Sequence, residues 1–482
     1  MKESIVAGIA GVYKREEGLL KPMLEKLEHR GPCGKRIFRY KGSMLGCTVH
    51  PNGGFFKDYR GCISVDGEIY NPDQLKIDCR NLLSLFRRKE TGFLKYINGK
   101  FAIAIIDNGR LVLARDRLGV KPLYYSTEKN GICFASEIKA LQEVAKEIKF
   151  LPPGHFLNSK HGLHRYWKMS CAGPSLSNPS EIIPLLRKNL EKAVCKRLKG
   201  KSRVGVFLSG GIDSSIIAYL VKKNFKNVVF FSVGVKGSSD IKFASALAKY
   251  LKVPHCIHTY DLKEMKKVLP EVIYHLESFD YLLVRSCIPN FMVSRLAGQK
   301  NIDTVFIGEG GDELFAGYEF LRHLRGVNLQ RKSINLIQNL HNTGLQRCDR
   351  MPLSFGVEAK IPFLDIDFVK FALGISTALR VEKGKQEKWI LRKSFEDVLP
   401  REIVRRKKQK FSQGSGSYKI MKKVANTEIS DREFKKEKKI GKSFILRNKE
   451  ELLYYRIFKK FFPYNSILGQ TSEQIVRFSL HF

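Results

Sequence analysis

The chain has 482 residues, enough for two to three domains, and 43% of them are hydrophobic, so a sizeable core can be buried. Lys and Arg number 86 against 47 Asp and Glu, a formal charge of +39 that suits a polyanionic partner such as nucleic acid. No apolar run of about 18 residues occurs, which argues against a membrane span. The N-terminus Met-Lys-Glu-Ser-Ile-Val-Ala lacks the apolar core of a secretory signal. The 10 cysteines are scattered singly, with no C-x-x-C pair, which points away from zinc and disulfides and towards a reducing, cytoplasmic compartment.

In chain order, residues 1–170 hold short β-like runs separated by Gly, Asn and Asp turns: Cys62–Val65, Phe101–Ile106 and Leu111–Ala114. Residues 171–180 are rich in small residues and proline and read as a linker. A helix is expected from Ser180, capped by that serine and with Pro184 in its first turn. Its apolar face is Ile182, Leu186, Leu190 and Val194. From Arg203 onwards apolar strands (Val204 to Leu208, Val228 to Ser232, Thr304 to Ile307) alternate with helices. That is the pattern of a parallel α/β sheet, whose ligands collect at the carboxyl ends of the strands. Two basic runs, Arg405–Lys408 and Lys435–Lys439, suit a polyanion, although no aromatic-interleaved RNA-binding signature lies beside them.

The most specific local signal is Leu208-Ser209-Gly210-Gly211-Ile212-Asp213-Ser214-Ser215. A strand enters a glycine turn and then a helix, so backbone N–H groups and the helix N-terminus face an anion. The hydroxyls of Ser209, Ser214 and Ser215 add donors. A carboxylate at Asp213 among phosphates calls for a cation such as Mg²⁺ between them. The lysine of a Walker A loop is missing.

This loop resembles the pyrophosphate loop of the ATP-pyrophosphatases, enzymes that cleave ATP to AMP and pyrophosphate. Further segments narrow the match: Phe231-Ser232-Val233-Gly234, Gly308 to Tyr318 (GEGGDELFAGY), Arg350 to Asp365 (RMPLSFGVEAKIPFLD), His275 to Arg285, Lys385 to Arg392 and Lys410 to Gly414. Together they resemble the synthetase domain of the glutamine-dependent asparagine synthetases. His29-Arg30-Gly31-Pro32, Asp66 to Asn71 (DGEIYN), Arg115 to Gly119 and Ala135 to Lys139 resemble the class II glutamine amidotransferase domain that precedes it in that family.

The resemblance implies a two-domain α/β chain. Residues 1–170 would form an αββα sandwich of the N-terminal-nucleophile type. Residues 181–482 would form an ATP-pyrophosphatase parallel α/β domain with a helical C-terminal part. It assigns Leu208, Ser209, Gly210, Gly211, Asp213, Ser214, Ser215, Val233, Gly234, Ile307 and Gly308 to ATP, with Ile307 standing where the family usually has serine. Asp213 and Asp312 would hold Mg²⁺. Lys388 would meet the pyrophosphate, and Glu309 would act as the base in amide formation. Aspartate and ammonia are the implied substrates; a glutaminase partner supplying ammonia, a homodimer and a nucleic acid partner are left open.

The amidotransferase half departs from its family. The nucleophilic cysteine is replaced by Ala7, the Arg-Leu-Ser-Ile run is absent, and the asparagine before Gly67-Glu68 is Asp66. Asp78 matches the family's amine-binding aspartate. A chain without the thiol and without the arginine fork for the glutamine carboxylate is expected not to hydrolyse glutamine. Its first half would remain as a cover or as a wall of an ammonia path. The alternatives are a relative that uses another carboxylate and amine, as in β-lactam formation, peptide cyclisation or amidation of a nucleic-acid-borne substrate, and a non-catalytic nucleic-acid-binding protein.

Overall fold

The computed structural model describes residues 8–49, 54–71, 78–129, 131–169, 176–381, 387–440 and 444–462. Its first half is built from β1 (Ile9–Tyr13), β2 (Lys35–Tyr40), β3 (Ser43–Thr48), β4 (Phe55–Lys57), β5 (Gly61–Ile69), β6 (Gly99–Asp107), β7 (Arg110–Arg115), β8 (Tyr124–Glu128), β9 (Gly131–Ala135), β10 (Lys149–Phe150), β11 (His155–Asn158) and β12 (Gly162–Arg165). They form two six-stranded sheets, ordered β10-β8-β9-β1-β3-β2 and β12-β11-β7-β6-β5-β4.

The alternation of side chains along each strand explains the layers. On β6, Ala102, Ala104 and Ile106 pack between the sheets with Ile9, Leu45 and Phe134. Ile103 and Ile105 point the other way, onto Leu82, Leu83 and Phe86 of helix α2 (Cys79–Lys89). On β1, Ala10 and Val12 face Leu20, Met23 and Leu24 of helix α1 (Leu20–Glu25) on the opposite outer side. The order of layers is therefore αββα.

Helix α3 (Pro179–Leu198) leads into the second half. It starts one residue earlier than the sequence suggests: Asn178, not Ser180, is its cap, accepting from the Ser180 amide at 3.1 Å, because an extended residue with a short side-chain carbonyl is what the first turn needs. Pro184 falls beyond the first turn. The second sheet system joins β13 (Val204–Phe207), β14 (Val228–Gly234), β15 (His255–Thr259), β16 (Thr304–Phe306) and β17 (Glu358–Lys360), all parallel, in the order β15-β14-β13-β16-β17. Around it lie α4 (Ile212–Asn224), α5 (Ser239–Leu251), α6 (Leu262–Leu276), α7 (Tyr281–Gln299), α8 (Gly311–Leu314), α9 (Gly326–Asn339) and α10 (Gly344–Leu353). The chain runs outward from β13 to β15 and then returns to the other side of β13 as β16. The crevice between the ends of β13 and β16 is thus the topological switch point. Short helices follow, ending in Lys449–Phe461. Among the described residues no helix is long and apolar enough to cross a membrane.

The halves meet through buried charge. Arg30, 1% exposed, contacts Asp66 at 2.7 Å, Glu137 at 2.8 Å and, across the interface, Asp349 of α10 at 2.8 Å. Lys121 lies 3.0 Å from Asp349, 3.1 Å from Asp66 and 3.3 Å from Glu358 of β17. Lys100 pairs with Glu358 and Lys360 with Glu68. Glu277 accepts from the backbone amides of Ile138 at 2.9 Å and Lys139 at 2.7 Å, and pairs with Arg350. Each ion is out of water and depends on its counter-ion. Asp349→Ala would take from buried Arg30 and Lys121 the counter-ion they share across the interface, so chemical denaturation of this variant should show a loss of about 3 kcal/mol; an unchanged unfolding midpoint would sink this account of the interface.

Candidate active site

The loop between β13 and α4 lies at the switch point. Gly210 sits at φ +68°, and a Cβ there would fall 2.5 Å from Cβ of Phe243, so only glycine permits this turn. Ser209 Oγ lies 3.1 Å from Ser214 Oγ, and Ser214 Oγ donates to the Gly211 carbonyl at 3.0 Å. Ser215 Oγ is buried without a hydrogen-bond partner. The start of α4 adds its N-terminal dipole, so the loop is shaped for an anion. The loop after β16 closes on it: a Cβ on Gly308 would lie 2.7 Å from the Ser214 amide, and one on Gly311 2.4 Å from Asp213 Oδ1.

Three charged groups predicted from sequence converge here. Lys388, fully buried, pairs with Asp213 and lies 2.6 Å from Asp312 Oδ1. Its backbone is left-handed, at φ 59°, immediately before helix Trp389–Lys393, a strained conformation for a non-glycine residue and one often found where a side chain must be aimed. A third segment contributes Lys408, which also pairs with Asp312. Against the burial that pushes it up, Lys388 and Lys408 hold the Asp312 carboxyl well below the ordinary range. The next residue behaves oppositely. Burial first, then the charges of Asp312 and Glu309, push Glu313 up to about 8, and Tyr318 donates its hydroxyl to it. Neighbouring carboxyls driven apart in this way are a mark of catalytic sites.

The donor set fits Mg²⁺. Asp213 Oδ1 is buried and accepts no hydrogen bond, and it lies beside the ammonium that links the two carboxylates. Among the described residues no cluster of three or more His, Cys, Asp or Glu could hold a metal. Two carboxylates with the remaining ligands drawn from phosphate and water is the usual arrangement for this ion.

Glu309 stands in the same loop, partly exposed, with its carboxylate paired to Arg347 of α10. A Cβ on Gly344 at the start of α10 would overlap Glu309 Oε1, so a larger residue there would displace the carboxylate. Leu208, Val233, Gly234 and Ile307 lie at the carboxyl edge of β13, β14 and β16, all buried. The Ile307 amide donates to the Lys360 carbonyl at 2.9 Å, which ties this edge to the interface strand β17. Sequence reasoning missed Arg347, and it missed Lys408 and Arg406 by reading Arg405–Lys408 as a basic run suited to a polyanion. Arg406 instead donates to the Ser209 carbonyl at 2.7 Å and to Asp240 at 2.6 Å. Nothing in four consecutive basic residues distinguishes the two that turn inward, Arg406 and Lys408, from the exposed Arg405 and Lys407.

In the first half, Ala7 lies outside the described residues. Asp66 is fully buried between Arg30 and Lys121. Gly67, at φ +131°, leaves no room for a Cβ beside the Lys100 carbonyl. Against burial, Lys360 and Lys100 hold the Glu68 carboxyl down to about 2, and Tyr70 donates to it at 2.7 Å. Asp78 caps α2, accepting from the Asn81 amide at 2.7 Å. Cys47 is buried, which pushes its thiol up to about 11, and Cys33 is exposed.

The family model described as asparagine synthase matches residues 185–335 and 326–474, and that of the glutamine amidotransferase domain matches residues 4–151. An asparagine synthetase [glutamine-hydrolyzing] of Oryza sativa subsp. japonica is 32% identical over 96% of this chain and 85% of its own length. A probable asparagine synthetase [glutamine-hydrolyzing] of Dictyostelium discoideum is 31% identical over 91% of this chain and 89% of its own. Among solved structures, a glutamine phosphoribosylpyrophosphate amidotransferase of B. subtilis, complexed with ADP and GMP, is 17% identical at a TM-score of 0.29, over 52% of this chain and 65% of that one. With both halves matched and relatives above 30% identity along nearly its whole length, the chain belongs to the asparagine synthetase family and is an ATP-dependent ligase of that family.

Proposed function

We propose that this ligase adenylates the side-chain carboxylate of aspartate and passes ammonia to it, giving asparagine, AMP and pyrophosphate, and that glutamine is not its nitrogen source. On this reading residues 1–170 are an amidotransferase-like half without glutaminase chemistry, 171–180 a linker and 181–482 the synthetase half. The observation that carries the proposal is the gathering of the Ser209–Ser215 loop, the Asp213–Lys388–Asp312 cluster and Glu309 at one switch point.

In the first step an aspartate carboxylate oxygen attacks the α-phosphorus of ATP. The bond from that phosphorus to the bridging oxygen breaks, and its electron pair leaves with pyrophosphate. Ser209, Ser214, Ser215 and the α4 N-terminus hold that leaving group, with Lys388 beside them, so positive charge stands where negative charge develops. Mg²⁺ held by Asp213 and Asp312 would neutralise phosphate charge there. In the second step the ammonia nitrogen attacks the activated carbonyl, its proton passes to Glu309, and AMP departs. Arg347 fixes the direction of the Glu309 carboxylate.

Several features support the absence of glutamine chemistry: alanine at position 7, and structural partners for the carboxylates of Asp66, Glu68 and Asp78. The test is pyrophosphate release from ATP, Mg²⁺ and aspartate with either ammonium or glutamine. Release and asparagine formation are expected with ammonium and not with glutamine. Turnover on glutamine would overturn the reading of the first half, and no release with either donor would remove aspartate as acceptor. Glu309→Gln should lower asparagine formation by about 10²- to 10⁴-fold. The same variant should keep aspartate-dependent exchange of pyrophosphate into ATP; loss of that exchange as well would refute a role confined to the second step.

A further inference from the structure

The positive charge gathers towards the C-terminal helices: residues 417–462 carry 14 Lys and Arg against 6 Asp and Glu. Each of those carboxylates already holds a cation. Glu428 pairs with Lys266 of α6, Glu450 with Arg285 of α7 and Glu451 with Arg447. The others join helix Asp431–Glu437 to helix Lys449–Phe461: Asp431 lies 2.9 Å from Lys449, and Arg456 takes Glu437 at 2.7 Å and Glu433 at 3.3 Å. The surplus cations are left without a carboxylate.

Some of that surplus lies in register. Arg432, Lys435, Lys436 and Lys439 stand at i, i+3, i+4 and i+7, the last just past the end of helix Asp431–Glu437, so they share one side of it in a stripe about 10 Å long. All are exposed, and none pairs with a carboxylate among the described residues. Lys460, one turn beyond Arg456 and on the same side of its helix, is exposed as well. Like charges at these spacings repel and work against the helix, so the fold does not account for the stripe.

The inward side of the helix is spent: Phe434 packs on the core, and Glu433 and Glu437 hold Arg456. Without a free apolar face the helix is not built to sink into a bilayer. Among the described residues of 417–462 no aromatic side chain is exposed, and Ile445 is the only large apolar one that is. A platform for stacking single-stranded bases is therefore missing. What remains is a row of cations, which matches a row of phosphates. Of the two basic runs, Arg405–Lys408 sends Arg406 and Lys408 into the crevice, whereas Lys435, Lys436 and Lys439 of the second face outward.

We propose that Arg432, Lys435, Lys436 and Lys439 dock the phosphate backbone of a nucleic-acid duplex without reading its bases. A lysine ammonium is a compact point charge that suits a phosphate oxygen, and phosphate contacts position a duplex without selecting its sequence. Binding is then driven by release of the counter-ions condensed on the duplex, and it weakens steeply with salt.

The full-length chain tests this by fluorescence anisotropy with a labelled DNA duplex of about 20 base pairs, titrated between about 50 and 200 mM salt. Replacing the stripe together (Arg432→Gln, Lys435→Gln, Lys436→Gln, Lys439→Gln) should weaken binding at least about 10-fold and reduce the slope of log affinity against log salt by about 3 to 4. A control that removes the same charge from exposed lysines of the first half (Lys21→Gln, Lys95→Gln, Lys129→Gln, Lys160→Gln) should bind within about threefold of the parent, because distant charges are screened. Both variants should keep the parent's unfolding midpoint, and duplexes of unrelated sequence should bind alike. Absence of parent binding at the lowest salt, unchanged binding in the stripe variant, or an equal loss in the control would overturn the proposal. Equally tight binding to phosphatidylserine vesicles, lost in the same stripe variant, would overturn it in favour of a membrane surface.

Discussion

Helix α10 presents ionised side chains that must all be satisfied without water, and both halves of the molecule are fitted to that demand. Arg347 points towards the synthetase crevice and holds Glu309. Two and three residues on, Asp349 and Arg350 point to the other half, where Arg30, Lys121 and Tyr124 receive them. Removing one member of such a pair leaves a buried charge, which costs more than the intact pair contributes. The position of Glu309 is consequently coupled to how the amidotransferase-like half seats on α10.

That coupling gives the first half a physical role independent of glutamine. Glu68 anchors Lys360 of the edge strand β17, and the Lys360 carbonyl in turn receives the Ile307 amide at the mouth of the crevice. Asp66 shares Arg30 and Lys121 with Asp349. Residues expected at a glutamine site act as counter-ions for cations that reach the synthetase half, so the αββα layers brace the parallel sheet beside them.

At the crevice the same rule operates with mobile partners. Asp213, Asp312, Lys388 and Lys408 form a compact set of alternating charges. On the proposed reading each lysine would exchange a carboxylate for a phosphate oxygen, and each carboxylate a lysine for a metal ion.

Much of this was legible in the sequence because it is local. Side-chain alternation along Phe101–Ile106 marks a strand covered on both faces, and the Ser209–Ser215 spacing writes a strand, a glycine turn and a helix start within a few residues. The loop of Glu309 and Asp312 was legible through its glycines, two of which allow the backbone to meet the phosphate loop. The partners were not legible. Arg347, Lys360 and Lys408 lie 38, 292 and 96 residues from the carboxylates they meet, and in a chain with 86 basic residues each looks like a solvated side chain. Periodicity records which face of an element is apolar, whereas the choice of counter-ion is made only when distant segments are brought together and water is excluded between them. The sequence by itself determined the layers, the strand, glycine turn and helix start at Ser209–Ser215, and the family; the tertiary structure decided which charges are paired, because pairing is set only when distant segments meet and exclude water.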